Sequence, residues 1–241
     1  NETSSPEGIL LIDKPAGCTS HDVVARVRRH FGIRKVGHAG TLDPLATGLL
    51  ILLIGKATKV SQYLISLAKE YEGEFVLGKI MDSHDSDGTL VEEREVPADL
   101  QDSDIVEQMQ KLIGDQYQIP PMFSAKKHKG KPLYKMARKG EEVEREPRFI
   151  HVSQFELKSF QTPQGQFRIA CSKGTYVRTL IHDLGESLGC GAHMNALRRI
   201  SIDRFHIDRA CTLEDLEKGG LTTLKRSLIP VYQAVPSHVL S

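Results

Sequence analysis

Residues 37–54 read GHAGTLDPLATGLLILLI, a glycine-rich loop with a single carboxylate that runs directly into six apolar residues. The three glycines of the loop allow backbone bends that other residues disfavour, and Pro44 keeps Asp43 away from helical angles. The apolar run 49–54 is typical of a buried strand, so we expect Asp43 on a stiff loop at the margin of the core. The alternative is a surface loop in which Asp43 only caps a turn.

The length and composition favour a globular protein. The chain has 241 residues, 39% of them hydrophobic, which suits one large domain or two small ones with a buried core. The longest apolar run is too short to span a bilayer, and the first residues lack a secretion signal. The four cysteines form no Cys-x-x-Cys pair, which argues against a zinc knuckle and a disulfide scaffold. We expect a cytoplasmic monomer with reduced thiols, no membrane association and no protein partner.

The formal net charge of +1 conceals two segments of opposite charge. Residues 121–140 hold seven Lys or Arg and no acid, whereas residues 82–107 hold ten acids and a single Arg. Phe123 and Tyr134 lie among the lysines, and RNA is bound through cations on its phosphates and aromatic rings on its unstacked bases. We therefore expect a basic RNA-binding insertion at 121–150. A solvated surface is the alternative reading of such a run.

Hydrophobic periodicity predicts a protein in which strands and helices are mixed. Ser20 and Ser103 are expected to cap helices that end at Gly32 and Gly114. The predicted strands cover 9–12, 49–54, 71–77, 89–96, 152–160, 166–172 and 200–207. The predicted helices cover 20–31, 57–68, 103–113, 176–188 and a short segment after Thr212, and residues 228–240 are expected to be irregular.

Three other kinds of site are excluded by their spacing. Residues 48–57 partly resemble a phosphate-binding loop, but Ala57 lies where a magnesium-binding Ser or Thr is needed. Residues 83–94 follow calcium-loop spacing, yet the twelfth position is Arg94 instead of Glu. His182 has no second histidine three or four residues away. No metal site is expected.

Several further motifs accompany the loop around Asp43. They are the opening loop at 13–20, Lys69-Glu70-Tyr71 with Leu77-Gly78, the acidic turn at 82–88, Pro120 to Ala125 with the lysines that follow, Cys171 to Thr179, Gly189 to His193, and Leu197-Arg198-Arg199. Together these segments make nearly the whole chain resemble the TruB family, the bacterial tRNA pseudouridine-55 synthases. Met81 and Ser83 depart from the family, which usually has threonines there.

The resemblance implies the pseudouridine synthase fold, an α+β architecture. In it a central mixed, largely antiparallel sheet is flanked by helices and carries an inserted RNA-binding loop. The implied catalytic domain covers residues 8–228 and contains the insertion at 121–150. We expect residues 229–241 to form a tail too short for the PUA domain that longer relatives carry.

The implied activity is isomerisation of the T-loop uridine of tRNA (position 55) without a cofactor. Such chemistry needs an ionised carboxylate, which the resemblance assigns to Asp43; whether it attacks C6 of the base or C1′ of the sugar, or removes the 2′ proton, stays open. The resemblance pairs Arg178 with Asp43, and it makes Tyr71 a stacking and proton-relaying residue and Tyr176 part of the pocket wall. His38 would enter the place of the flipped uridine. The expected phosphate ligands are Lys14, Lys126, Lys127, Lys129 and Lys131.

Two alternatives remain at this point. The first is an enzyme of the same fold that acts on a ribosomal or messenger uridine. The second is an RNA chaperone that unfolds and refolds tRNA, with isomerisation as a secondary activity. The set of Asp43, Tyr71 and Arg178 favours catalysis, because a pure chaperone has no need of it.

Overall fold

The computed structural model describes residues 4–122 and 144–241, and the backbone alone of residues 127–128 and 131–132. The chain divides into two compact units. The first unit contains Asn1–Tyr71 and Leu197–Ser241, and the second unit contains Glu72–Ala196. The side chains of Phe123 and Tyr134 and of the predicted phosphate ligands Lys126, Lys127, Lys129 and Lys131 lie outside the described residues.

Strands and helices are interspersed along the chain. The strands are β1 Gly8–Lys14, β2 Val36–His38, β3 Thr47–Ile54, β4 Lys69–Leu77, β5 Lys79–Met81, β6 Leu90–Glu93, β7 Gly114–Gln118, β8 Lys127–His128, β9 Lys131–Pro132, β10 Arg148–Gln161, β11 Gln164–Cys171, β12 Ala192–Ile202 and β13 Phe205–His206. The α-helices are α1 Ser20–Phe31, α2 Ser61–Ile65, α3 Asp102–Lys111, α4 Val177–Leu188, α5 Leu213–Ser227 and α6 Val231–Ala234. Turns of 3₁₀ helix lie at Gly55–Val60, Ile207–Arg209 and Ser237–Val239.

Strand β3 forms the centre of the first unit. It pairs antiparallel with β1, from Gly8 opposite Ile54 to Lys14 opposite Gly48. It also pairs antiparallel with β2 and parallel with the end of β12. Residues 49–54 are at most 1% exposed, which confirms the predicted buried strand. The loop that carries Asp43 therefore connects β2 to the most buried strand of its unit.

In the second unit, β4, β11, β10 and β7 lie side by side in that order. Strand β10 runs antiparallel to both β11 and β7. The core contains Phe75, Phe155 and Phe167, and the ring centroid of Phe167 lies 6.3 Å from that of Phe75 and 6.0 Å from that of Phe155. A Cβ atom at Gly165 would lie 2.1 Å from the Phe75 ring, so only glycine leaves room for this packing.

The predicted α+β class is confirmed, because helices accompany antiparallel strand pairs such as β1–β3 and β10–β11, and β3 pairs parallel with β12. Several boundaries were predicted wrongly. Ser103 does not cap its helix but lies inside α3, whose N-cap is Gln101. The helix expected over 57–68 is a 3₁₀ turn followed by the five-residue α2. The strand expected from Ile200 begins at Ala192. Gly114 does not end a helix but begins β7.

Helix α1 begins one residue earlier than its predicted cap implies. Thr19 is the N-cap: its hydroxyl accepts a bond from the Asp22 amide, and the Asp22 carboxylate accepts one from the Thr19 amide. Ser20 is inside the helix and almost fully buried. Its hydroxyl is thereby available for another purpose, described below.

The C-terminal residues are not the irregular tail that the sequence suggested. The Ile229 and Ile9 backbones exchange two hydrogen bonds of 2.8 Å. Ala234 and Val235, in and just after α6, are 2% and 4% exposed and belong to the core of the first unit. The packed part of the chain therefore continues beyond Leu228. In the described ranges, no helix has the length and apolar character needed to cross a membrane.

Candidate functional site

The loop between β2 and β3 presents Asp43 at the surface while its neighbours are anchored. Asp43 is exposed, whereas Leu42 is 3% exposed and Ala46 is 2% exposed. The Asp43 carbonyl accepts a bond of 2.9 Å from the Ala46 amide, and the Pro44 carbonyl accepts one of 2.9 Å from the Gly17 amide. The carboxylate thus sits on a short turn that is fixed from both sides.

Ser20 provides a second anchor for this loop. Its hydroxyl accepts a bond of 2.9 Å from the Leu42 amide and donates one of 3.1 Å to the Leu42 carbonyl. Both backbone groups of the residue before Asp43 are therefore satisfied by a single side chain of α1. Because these groups are buried, leaving them without partners would be costly.

Gly48 allows the loop to enter β3. Its φ of 102° is unfavourable for other residues, and an added Cβ would lie 2.3 Å from the Arg199 carbonyl oxygen. The backbones of β3 and β12 approach each other closely at this point. The sequence pattern identified the need for glycine here but not its partner.

Lys14 does not have the geometry of a phosphate ligand. Its side chain is fully buried, and its ammonium donates bonds of 2.7 Å to the Pro15 carbonyl and 2.8 Å to the Cys18 carbonyl. Burial lowers the pKa of Lys14 below its ordinary value, while Cys18, Asp43 and Asp22 act in the opposite direction. The burial does not support the predicted phosphate binding, which stays a prediction; the two bonds show that Lys14 holds the opening loop in shape.

His38 ends β2, five residues before Asp43. Its ring is partly buried, and its Nδ1 atom has no hydrogen-bond partner among the residues that the structure describes. Burial lowers the pKa of His38 below its usual value, and the positive charges of Arg199 and His21 lower it further. The imidazole is therefore neutral at physiological pH.

Tyr71 lies on β4 and is 9% exposed. The residues before it are anchored by side-chain bonds within the first unit: Lys69 donates to the Ile65 carbonyl at 2.5 Å, and the Ser201 hydroxyl donates to the Glu70 carboxylate at 2.9 Å. Tyr71 therefore has a fixed backbone position on a buried strand. Its predicted role as a stacking residue stays a prediction.

Arg178 and Tyr176 belong to the second unit. Arg178 lies in the first turn of α4 and is 6% exposed. Its Nη1 atom donates a bond of 2.9 Å to the Ser83 carbonyl, and its Nε atom lies 3.9 Å from an Asp85 carboxylate oxygen. Its guanidinium carbon lies 5.5 Å from the centroid of the Tyr176 ring. The acidic turn at 82–88 thus holds Arg178, a function that sequence analysis did not assign to it.

Asp85 is itself held by buried donors. The Ser83 hydroxyl donates a bond of 2.8 Å to its carboxylate, and the Asp87 amide donates one of 3.1 Å. Bonds of the Ser86 amide to the Met194 carbonyl and of the Met194 amide to the His84 carbonyl attach the turn to β12. Hydrogen bonds of this kind favour the ionised carboxylate. The Asp85 carboxylate is thus held near the Arg178 guanidinium within the second unit.

A buried histidine pair supports the same turn. The rings of His84 and His182 stack with centroids 4.0 Å apart, and Nδ1 of His84 lies 3.1 Å from the Thr179 hydroxyl. Burial, helped by the charges of His182 and Arg178, lowers the pKa of His84 to about 3. The imidazole of His84 is therefore neutral near pH 7.

Gln118 fixes the backbone of Tyr176. Its amide nitrogen donates a bond of 3.1 Å to the Tyr176 carbonyl, and its amide oxygen accepts one of 2.8 Å from the Tyr176 nitrogen. The side chain thus pairs with Tyr176 as a neighbouring strand would. The only sequence signal for this role is a polar residue at a position that the strand pattern of β7 buries.

Two family models cover most of the chain. The model for the N-terminal domain of TruB family pseudouridylate synthases matches residues 28–177, and the model for the C-terminal domain of tRNA pseudouridylate synthase B matches residues 178–235. The chain is 59% identical over 233 residues to tRNA pseudouridine synthase B of Opitutus terrae, covering 97% of this chain and 96% of that protein. It is 49% identical to tRNA pseudouridine synthase B of Syntrophotalea carbinolica, covering 96% of this chain and 75% of that protein.

Solved structures give the same picture of the fold. A chain in the crystal structure of a Cbf5-Nop10-Gar1 complex superposes with a TM-score of 0.74 at 31% identity, covering 95% of this chain and 61% of that chain. A chain in the structure of an H/ACA RNP bound to a substrate RNA containing 2′-deoxyuridine superposes with a TM-score of 0.71 at 28% identity, covering 95% of this chain and 60% of that chain. The chain thus spans about three fifths of these two solved chains.

Proposed function

The chain belongs to the TruB family of pseudouridylate synthases, and on this basis we propose that it converts the T-loop uridine of tRNA (position 55) to pseudouridine. The observation that carries the proposal is the loop around Asp43. It presents one exposed carboxylate between Leu42 and Ala46, which are buried and hydrogen-bonded, as a fixed catalytic group requires.

The proposed reaction is an isomerisation, in which one bond to the sugar breaks and another forms. The bond between N1 of the base and C1′ of the sugar breaks, the uracil rotates, and C5 of the base bonds to the same C1′. The hydrogen of C5 leaves as a proton, and N1 gains one. Asp43 acts as nucleophile or base, at C6, at C1′ or on the 2′ proton. Neither electrons nor water are consumed, so the chemistry requires no cofactor.

Anchoring supports the assignment of Asp43. A carboxylate catalyses more effectively when the protein already holds it in position before the reaction begins. The residue before Asp43 is fixed by Ser20, and the residue after it by Gly17. A carboxylate that only capped a turn would not need such long-range anchors on both sides.

The neutral ring of His38 suits insertion into the RNA stack. A uridine in a folded tRNA arm must be unstacked before it can react, at a cost of a few kcal/mol. A neutral imidazole stacks on a base with little loss of hydration, whereas an imidazolium would have to be desolvated. The lowered pKa of His38 therefore favours the flipping role that the family resemblance implies.

Arg178, Tyr71 and Tyr176 complete the proposed machinery. Arg178 is proposed to keep the carboxylate of Asp43 ionised, and its support by Ser83 and Asp85 gives the guanidinium a fixed direction. Tyr71 is proposed to stack on the reacting base and Tyr176 to form part of the pocket wall. The insertion at 121–150 is proposed to hold the tRNA backbone.

The test is release of tritium from tRNA labelled at C5 of uridine, since that hydrogen leaves only when the new C–C bond forms. Asp43→Asn should abolish release while tRNA affinity stays within a few fold, because the substitution keeps the shape and removes the charge. Asp203→Asn is the matched control: Asp203 is also exposed in the first unit, and its φ of 50° suits asparagine. Residual activity of Asp43→Asn above about one per cent would refute the catalytic assignment.

The same assay separates the proposed substrate from its alternatives. A tRNA with cytidine in place of the T-loop uridine should release no tritium from its other uridines. Release from that tRNA, or faster release from ribosomal or messenger fragments, would favour a different RNA. Refolding of tRNA at full rate by Asp43→Asn, with negligible release by the native protein, would favour the chaperone.

A further inference from the structure

Arg199 on β12 is the largest fully buried side chain of the described residues, with 1% exposure. A buried guanidinium is costly unless its donors find acceptors. In the part of the chain that the structure describes, no carboxylate oxygen lies within ion-pair distance of Arg199. Because burying this guanidinium is unfavourable, Arg199 is expected to have a function that an apolar side chain could not supply.

The acceptors of Arg199 are two backbone carbonyls. Nε donates a bond of 2.8 Å to the Leu49 carbonyl, and Nη2 donates one of 3.1 Å to the Gly40 carbonyl. These carbonyls lie at the two ends of the segment that carries Asp43. One rigid, planar group therefore spans the segment from its entry to its exit.

The backbone of Arg199 is fixed at the same place. Arg199 lies opposite Gly48 in the parallel pairing of β12 with β3, where the close approach requires glycine. The preceding residue, Arg198, binds both oxygens of the Asp13 carboxylate on β1, at 3.0 and 2.9 Å. The guanidinium thus projects from a strand that is itself held by its neighbours.

The glycine at position 40 allows the backbone conformation at this contact. Gly40 has a φ of 97°, which other residues rarely adopt. The left-handed backbone turns the Gly40 carbonyl towards the guanidinium side of the loop. The loop and the arginine therefore fit each other as a unit.

We propose that Arg199 is the positioning residue of the catalytic loop: its guanidinium ties residue 40 to residue 49 and thereby fixes Asp43 for the reaction. The inference rests on the proposed function, because it takes Asp43 to be the reacting group. Arg199 does not contact the substrate in this proposal. It acts through the loop backbone, and its charge also favours a neutral His38.

The kinetic test compares Arg199→Lys and Arg199→Gln with the same two substitutions at Arg209, an exposed arginine of the first unit. Lysine keeps the charge but cannot span two carbonyls, and glutamine also loses the charge. We expect the single-turnover rate at saturating tRNA to fall about tenfold or more in both Arg199 variants, with tRNA Kd changed less than about threefold. Weakened binding with an unchanged rate, or rates equal to those of the Arg209 variants, would overturn the proposal.

Hydrogen exchange gives a readout that does not depend on activity. In the native protein, the amides of Ala39, Leu42 and Ala46 should exchange only through large-scale unfolding, because each donates a hydrogen bond within the clamped segment or from its border to the residues around it. In Arg199→Lys they should exchange at least tenfold faster than core amides of β3. Fast local exchange in the native protein would contradict the clamp even if no Arg199 variant folds.

Failure of the proposed function can be distinguished from failure of the proposal about Arg199. If the native protein releases no tritium, or Asp43→Asn remains active, the proposed function fails and the exchange result still reports on the clamp. If Asp43→Asn is inactive while the Arg199 variants react and exchange as the native protein does, only the inference about Arg199 fails.

Discussion

Replacing Ser20 with alanine removes one buried oxygen atom, and with it two hydrogen bonds to the backbone of Leu42. Each bond contributes about 1 kcal/mol net, and each buried backbone group left without a partner costs about 1–3 kcal/mol. Leu42 is 3% exposed and Ser20 is 2% exposed, so water does not readily replace the hydroxyl. We therefore expect the substitution to lower the free energy of unfolding of the first unit by about 2–4 kcal/mol.

The same loss of free energy should appear locally, at the loop that carries Asp43. At about 1.4 kcal/mol per factor of ten, opening of the Leu42 amide to hydrogen exchange should become about 30- to 700-fold more frequent. Urea denaturation measures the global effect, and amide exchange measures the local one. The single-turnover rate of the variant should fall as well, because the residue next to Asp43 loses its anchor.

Thr19→Ala is the informative control, because Thr19 carries the helix cap that the sequence had suggested for Ser20. Loss of a cap costs about 1 kcal/mol, and this substitution should leave exchange at Leu42 unchanged. A loss below about 0.5 kcal/mol in Ser20→Ala, with normal exchange at Leu42, would refute the argument that the hydroxyl anchors the loop.

Two further predictions concern pH and salt. Because the pKa of His84 is lowered from 6.5 to about 3, the unfolded chain binds a proton in this interval that the folded chain does not. The free energy of unfolding should therefore be highest above pH 6.5 and fall towards pH 3, by up to about 1.4 kcal/mol per pH unit from this group. His84 has a left-handed φ of 68°, which asparagine also accepts. His84→Asn should therefore flatten the fall in urea titrations, and an unchanged slope would contradict the assignment. Replacing Lys126, Lys127, Lys129 and Lys131 by glutamine should weaken tRNA binding and reduce its salt dependence, with little change in the single-turnover rate; unchanged affinity across a salt series would show these lysines to be only a solvated surface.

The parts of the fold that could be predicted from the sequence are those set by local patterns. The apolar run 49–54 has no polar residue that would allow exposure, and it forms the buried strand β3. Asp43 stands out because a charge among glycines and a proline has few structural reasons to be there. The N-cap and C-cap of α5 and α1, at Thr212 and Gly32, also follow from residue type.

The errors arise where a distant partner decides between two local options. Thr19 and Ser20 are both good caps, and only the bonds of Ser20 to Leu42, 22 residues away, settle which one caps α1. Residues 57–68 have helical periodicity, but the Thr58 hydroxyl bonds the Gly55 carbonyl, and the chain forms a 3₁₀ turn. Such competition is invisible in a pattern of apolar residues.

The supporting residues of the candidate site were missed for the same reason. Gln118 binds Tyr176 across 58 positions, and Arg199 binds carbonyls 150 and 159 positions away. An arginine in a strand next to another arginine gives no sequence signal that one is half-buried and the other fully buried. The sequence motifs and the family resemblance predicted the reacting groups, whereas only the tertiary structure shows which distant residues bond to their neighbours.

Because Lys14 is buried, its chemical modification can report on the opening of the protein around it. Amine-reactive reagents modify a lysine only when its nitrogen is reachable and unprotonated, and Lys14 is fully buried with its ammonium bonded to two carbonyls. Its acylation rate, followed by mass spectrometry, therefore counts the openings of the loop beside Asp43 in an unlabelled, unmutated enzyme.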